Sequence, residues 1–239
     1  MRLRYSLFLF IGIVFTINSQ NISGSELLEK AINYHDPSGN WSSFSSNFKV
    51  TMTTPNQSPR VSDINISLPA EFFSVTANRD GNTQTYTVDK SNCSLFHNTT
   101  KLDESAAKEK NMTCERANMF KNYYTYLYGL PMKLEDKGTN IDPKVKLKTF
   151  KGKDYLVLKA TYDTSVGSDV WYFYFDPESY AMKVYQFYKT GDKGNLTEGS
   201  GEYILLTEEE TVNGIKMPKT RAWYYNKDDK YLGTDTLEK

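Results

Sequence analysis

The chain has 239 residues, 29 basic against 29 acidic, and a hydrophobic share of 38% with Tyr as its commonest ring. This is enough apolar surface for one sizeable core in a single large domain, and it excludes collagen-like, coiled-coil and disordered compositions. Zero formal charge also removes the electrostatic footprint of a nucleic-acid binder, so no nucleic-acid partner is expected.

Residues 1–19 open with Met1-Arg2-Leu3-Arg4, run through an apolar stretch from Tyr5 to Ile17 and reach the small residue Ser19. That is the layout of a secretory signal peptide. The stretch is about 13 residues long, short of the ~20 a spanning helix needs, and no comparable segment follows, so no transmembrane segment is expected. Cleavage near Ser19/Gln20 would leave residues 20–239 as one slightly acidic domain, periplasmic or secreted. Export changes the meaning of the only cysteines, Cys93 and Cys114. In an oxidising compartment such a pair forms a disulfide, contributing about 3 kcal/mol in the chain-entropy model. The other reading is a pair of buried thiols acting as small hydrophobes.

Ser23-x-x-Glu26 is a capping box, and Leu27, Leu28, Ala31 and Ile32 recur at helical spacing, which predicts a helix over 24–34 ending before the turn Asp36-Pro37-Ser38-Gly39. From Phe48 the apolar positions alternate (Phe48, Val50, Met52), the signature of strands. Pro55-Asn56, Pro69, Asp80-Gly81 and Ser91-Asn92 supply the turns of an antiparallel meander. The segment 102–110 is rich in Ala, Glu and Lys. Thr113 then opens a longer helix with Ala117, Phe120, Tyr124 and Leu127 on one face, flanked by Tyr123 and Tyr126, and with Gly129 as its stop. That face either packs on the sheet or faces a ligand. A polar connection through Asp142-Pro143 follows. Period-two patterning then returns over 155–162, 171–175, 183–188, 202–206 and 221–225, with Asn213-Gly214 as the strongest hairpin signal. In 171–175 Trp171, Phe173 and Phe175 share one face and Tyr172 and Tyr174 the other, so both faces should be covered. The fold class this predicts is α+β, mainly β, without βαβ alternation.

Reaction chemistry is scarce. There is no G-x-S-x-G elbow, P-loop, H-E-x-x-H or C-x-x-C, and no metal or other cofactor is called for. His35-Asp36 is either an imidazole oriented by a carboxylate for acid–base work or a helix-terminal His beside an Asp-Pro turn. Arg221 and Glu202 stand in predicted strands, where surface display is the simplest expectation; a buried Arg221 would grip a carboxylate or phosphate. Glu208-Glu209-Glu210 reads as a solvated hairpin end.

The stretches HDPSGNW (35–41), NYYTYLYGLPMKL (122–134), SDVWYFYFDPESYAM (168–182) and NGIKMPKTRAWYYN (213–226) resemble a family of secreted bacterial proteins of uncharacterised function. Its members can carry a deoxyribose-phosphate aldolase label, which would require a βα barrel and a Schiff-base lysine in place of this antiparallel pattern. The order of helix, strands, helical insertion and strands is similar to the LolA-like periplasmic lipoprotein carriers. That resemblance implies a half-barrel sheet whose concave face is covered by helices, with Tyr123, Tyr124, Leu127 and Tyr128 facing Trp171, Phe173 and Phe175 across a ligand space; Arg221, read from its own strand, joins these as a candidate ligand contact. It further implies a monomeric, non-enzymatic carrier of a hydrophobic or amphipathic small ligand or of a lipoprotein. The alternatives are an envelope hydrolase or lyase using His35, Asp36 or Glu202, and an interaction module with an exposed aromatic patch.

Overall fold

The computed structural model describes residues 22–191 and 194–239; the signal-peptide reading of residues 1–19 lies outside them. The first described element is α1 (Gly24–His35), capped by the Ser23 side chain, which accepts from the Glu26 amide, and a 3-10 turn (Asn40–Ser43) follows. An N-terminal meander follows: β1 (Ser45–Thr54), β2 (Gln57–Ser67), β3 (Phe72–Arg79), β4 (Asn82–Asp89), β5 (Asn92–His97) and β6 (Thr100–Lys101). Then come α2 (Glu104–Glu109), α3 (Cys114–Gly129) and a second 3-10 turn (Met132–Glu135). The remainder is β7 (Thr139–Ile141), β8 (Lys146–Phe150), β9 (Lys153–Tyr162), β10 (Val170–Phe175), β11 (Met182–Tyr188), β12 (Glu202–Val212), β13 (Ile215–Tyr225) and β14 (Tyr231–Glu238).

The described strands form one curved antiparallel sheet in the order β6-β5-β4-β3-β2-β1-β14-β13-β12-β11-β10-β9-β7, with β8 on the free edge of β9. Its turns follow from residue chemistry. Asp80-Gly81, Lys151-Gly152 and Asn213-Gly214 each place two residues at positive φ, the type I′ geometry that matches strand twist. The sheet has one heavily covered face. Alternate residues such as Phe48, Val50, Ile64, Ile66, Phe73 and Phe173 join Leu27 and Ala31 of α1 and Ala117, Tyr124 and Leu127 of α3 in a continuous core, each fully buried large side chain contributing about 1.5–3 kcal/mol. On the outer face Tyr174 packs with Val157 and Val184. Phe150 of β8 lies 5.2 Å from the Tyr174 ring, so both faces of 171–175 are covered.

Three local readings need correction. The polar connection at 139–150 contains β7 and β8, and the alternation Lys144-Val145-Lys146-Leu147-Lys148 was the signal for the second, although Leu147 is left 69% exposed. The strand predicted over 202–206 runs on to Val212, so the glutamates 208–210 lie inside the hairpin end of β12, with Glu208 and Glu209 exposed and Glu208 at positive φ accepting from Lys219. Arg221, expected at the surface, is fully buried.

Cys93 of β5 and Cys114 at the first turn of α3 are bonded across 21 positions. This fixes the start of α3 to the sheet. Reduction, or the pair of substitutions Cys93→Ser and Cys114→Ser, is expected to lower unfolding stability by about 3 kcal/mol, measured by denaturant unfolding with and without reductant.

His35 is a structural staple. Its Nδ1–H donates to the Lys216 carbonyl at 2.6 Å and its Nε2 accepts from the Met182 amide at 3.0 Å. Burial lowers its pKa below the usual histidine value, against a backbone hydrogen bond that works the other way. The folded state therefore binds this proton less readily than the unfolded chain, and stability falls as pH drops below about 6.5. Urea midpoints between pH 7 and 5 should decline in the wild type with a slope of at most about 1.4 kcal/mol per pH unit from this group. His35→Gln, less stable throughout, should lack that component.

Candidate functional site: the enclosure beneath the long helix

Thr113 caps α3 by accepting from the Arg116 amide, and the helix crosses the inner face of the sheet as a bridge between its two halves. On one flank Phe120 meets Tyr86 (5.0 Å), Tyr124 meets Phe73 (6.2 Å) and Tyr128 meets Phe48 (4.8 Å), all on the N-terminal meander. On the other, Tyr123 stacks on Trp223 (6.4 Å) and Tyr126 meets Trp171 edge-on (5.6 Å), both on the C-terminal strands. The helix ends where Gly129 touches the Trp41 ring. A Cβ there would lie 2.2 Å from Trp41 Cζ2, so Gly129→Ala should destabilise the fold by about 1–3 kcal/mol through overpacking, read by thermal unfolding.

Under this bridge the inner face carries a polar row. Strand register sets Arg60 of β2 opposite Met52 of β1, Met52 opposite Asp235 of β14, and Asp235 opposite Arg221 of β13. Arg221 Nη1 donates to the Pro218 carbonyl (2.8 Å) and Nη2 to the Leu127 carbonyl of α3 (3.4 Å). Its guanidinium sits 3.9 Å from the Tyr128 ring centroid, a cation–π contact worth about 0.5–2 kcal/mol. Arg60 Nη2 donates to Tyr124 Oη (3.4 Å). Asp235 accepts from the Trp223 indole at 3.1 Å, and burial raises its carboxyl above the usual range despite the pull of Arg221 and Arg60. Burial likewise pushes the Tyr185 hydroxyl up to about 12, with Arg221 opposing. Arg60 Nε and Tyr128 Oη make no hydrogen bond here, while the Tyr185 hydroxyl lies within reach of Arg221. Two guanidiniums therefore face one carboxyl along this row.

The anticipated ligand residues fall into distinct places. Tyr124, Leu127, Tyr128, Phe173, Phe175 and Arg221 are buried inside the enclosure, where rings fill the space between α3 and the sheet; Tyr123 covers Trp223 at the rim with 38% exposure. Trp171 is half-buried and lines a cleft of about 730 Å³ between α3 and the β9–β10 loop. A second cavity, about 500 Å³, lies beside the disulfide at the other end of α3, walled by Leu95, Leu102, Ala107 and Met112.

The residues of an acid–base reading do not converge. Both His35 nitrogens are spent on backbone, and Asp36 accepts from the Asn40 and Trp41 amides, capping the 3-10 turn. Glu202 pairs with Phe187, about 17 Å along β11 from the His35 contact at Met182. Among the described residues no cluster of three or more His, Cys, Asp or Glu could hold a metal, and no helix is long and apolar enough to cross a membrane. Exposed large apolar residues are scattered, from Met119 on α3 to Leu147 on β8 and Tyr231 on β14.

The model of a family of unknown function (DUF6503) matches residues 3–239. The chain belongs to that family. No curated protein matches this DUF6503 chain. Among solved structures it is similar to the LolA superfamily protein NE2245 from Nitrosomonas europaea, at 14% identity and TM-score 0.52, over 91% of this chain and 92% of that one. A DUF1329 family protein from Desulfovibrio piger aligns over the same shares at 8% identity and TM-score 0.48. The first likeness shows the DUF6503 chain to have a LolA-like fold.

Sequence reasoning missed Arg60, Asp235 and Trp223. Arg60 follows Pro59 in a polar stretch and Asp235 lies among threonines, and neither carried an apolar pattern strong enough to mark its face.

Proposed function

We propose that this protein is an exported, non-enzymatic binding protein that takes a lipid-like, anionic amphipathic ligand between α3 and the curved sheet. The observation that carries this reading is the row Arg60–Asp235–Arg221 on the covered face, with Arg221 and Asp235 buried and Arg60 half-buried, inside a wall of aromatic and aliphatic side chains. A fully buried guanidinium normally needs a carboxylate or phosphate. Here the two cations hold an excess of positive charge that one anionic head group would neutralise, accepting from Arg221 Nε and from the tyrosine hydroxyls. From Leu127 to Cys114 α3 runs about 20 Å, the span of a long acyl chain, and it ends at the cavity beside the disulfide, where Leu95, Leu102, Ala107 and Met112 supply apolar wall. Uptake exchanges contacts of the Tyr124 and Tyr128 rings for contacts with the ligand. The LolA-like fold, the signal-peptide layout and a disulfide, which persists in oxidising compartments, support a periplasmic or secreted monomer.

The test is mass spectrometry of organic extracts from protein purified along its own export route. Wild type is expected to yield a near-stoichiometric anionic amphiphile. Arg221→Met, which keeps the side-chain volume and a folded circular-dichroism spectrum, should yield at least about tenfold less. An empty wild-type protein, or equal recovery from the folded variant, overturns the reading.

A further inference from the structure

The cleft beside α3 differs in chemistry from the enclosure. Its floor is aromatic: Trp171 stacks with Phe187 (4.8 Å) and Phe173 (5.9 Å), which hold the indole in place. Tyr126, edge-on to Trp171, is hydrogen-bonded through its hydroxyl to Tyr162 on β9. The walls are polar and come from separate elements, with Asn122 and Thr125 on α3, Lys133 and Asp136 at the second 3-10 turn, and Ser168 and Asp169 before β10. The lining charges balance in number: the Lys133 ammonium is paired with Asp136, and Lys137 and Asp169 add one of each sign. Partial burial raises the Asp169 carboxyl above its usual range, against the pull of Lys189. A balanced wall gives no net attraction to an anion, and a polar wall rejects an alkyl chain. What fits a flat aromatic floor bounded by amide, hydroxyl and carboxylate groups is a molecule with one C–H face and a ring of hydroxyls. Its C–H bonds meet the negative face of the indole, while each hydroxyl can both donate to a carboxylate and accept from an amide. The volume of about 730 Å³ falls within the range of small-molecule sites.

We propose that this cleft binds a neutral saccharide of a few sugar units, seated on Trp171 and held by Asn122 and Asp169. The site is separate from the Arg221 enclosure and does not depend on it. The test titrates the full mature chain with neutral oligosaccharides of hexoses and of N-acetylhexosamines, two to four units long, using calorimetry and saturation-transfer NMR. At least one series should bind wild type. Trp171→Ala, and separately Asn122→Ala and Asp169→Ala, should weaken binding by about tenfold or more. Asn122 is exposed, so its variant keeps the wild-type melting curve and reports on the site even if Trp171→Ala loosens the core. Arg221→Met should bind the same sugars as wild type, which separates this result from the fate of the amphiphile reading. No binding by any of the panel up to about 10 mM, or binding unchanged in Asn122→Ala and Asp169→Ala, overturns the proposal.

Discussion

Strand β14 makes one sheet out of two. Strands β1 to β6 are joined by local hairpins, as are β9 to β13, and β14 is the strand that hydrogen-bonds to both β1 and β13. It sets Lys49 against Glu238 and Thr220 against Thr236, pairing residues from nearly opposite ends of the described chain. Loop-closure entropy rises only slowly with separation, by about 0.6 kcal/mol per doubling. The contact is therefore sustained by an ordinary ladder and by burial of Leu237 beside Val50. The curvature of the joined sheet creates the concavity that α3 spans, and both flanks of that helix need their own half of the sheet to lean on.

The same strand decides the chemistry of the interior. A period-two strand puts every second residue on the inner face, and in β14 those positions are Gly233, Asp235 and Leu237, all buried. Gly233 leaves room for the Thr53 carbonyl. Asp235 is held between two arginines that come from different meanders, so the polar row exists only when the halves are joined. An apolar residue at 235 would leave the fully buried Arg221 and the half-buried Arg60 with no carboxyl between them, a costly arrangement. The charge pattern of the interior and completion of the fold are thus tied to one position.

Much of the architecture was legible in local chemistry. Ser23 and Thr113 marked helix starts, Gly129 marked a stop, and Asp-Gly and Asn-Gly pairs marked hairpins, because each of these features is decided within a few residues. The depth of Arg221 was not legible, for a specific reason. It shares strand parity with Met217 and Trp223 but also with Lys219, which reaches the surface to bind Glu208, so alternation alone pointed both ways. His35 did carry a signal, lying eight positions after Leu27 and four after Ala31 on the buried face of α1, but its use as a staple required knowing that the ends of β11 and β13 meet there. The cleft at Trp171 has no sequence signature at all, being assembled from α3, a 3-10 turn and a strand connection far apart in the chain.

The attachment of α3 at both ends has a mechanical meaning. Its first turn is welded to β5 by a covalent bond, and its last is wedged against Trp41 and pinned through the Leu127 carbonyl. A helix held so is a clamped beam and not a hinged flap. It cannot swing clear of the sheet, so anything that reaches the interior must slide in from the side, between the beam and one of the two rows of rings on which it rests. The rings along those rows, Tyr124 and Tyr128 among them, are packed between the helix above and the sheet below.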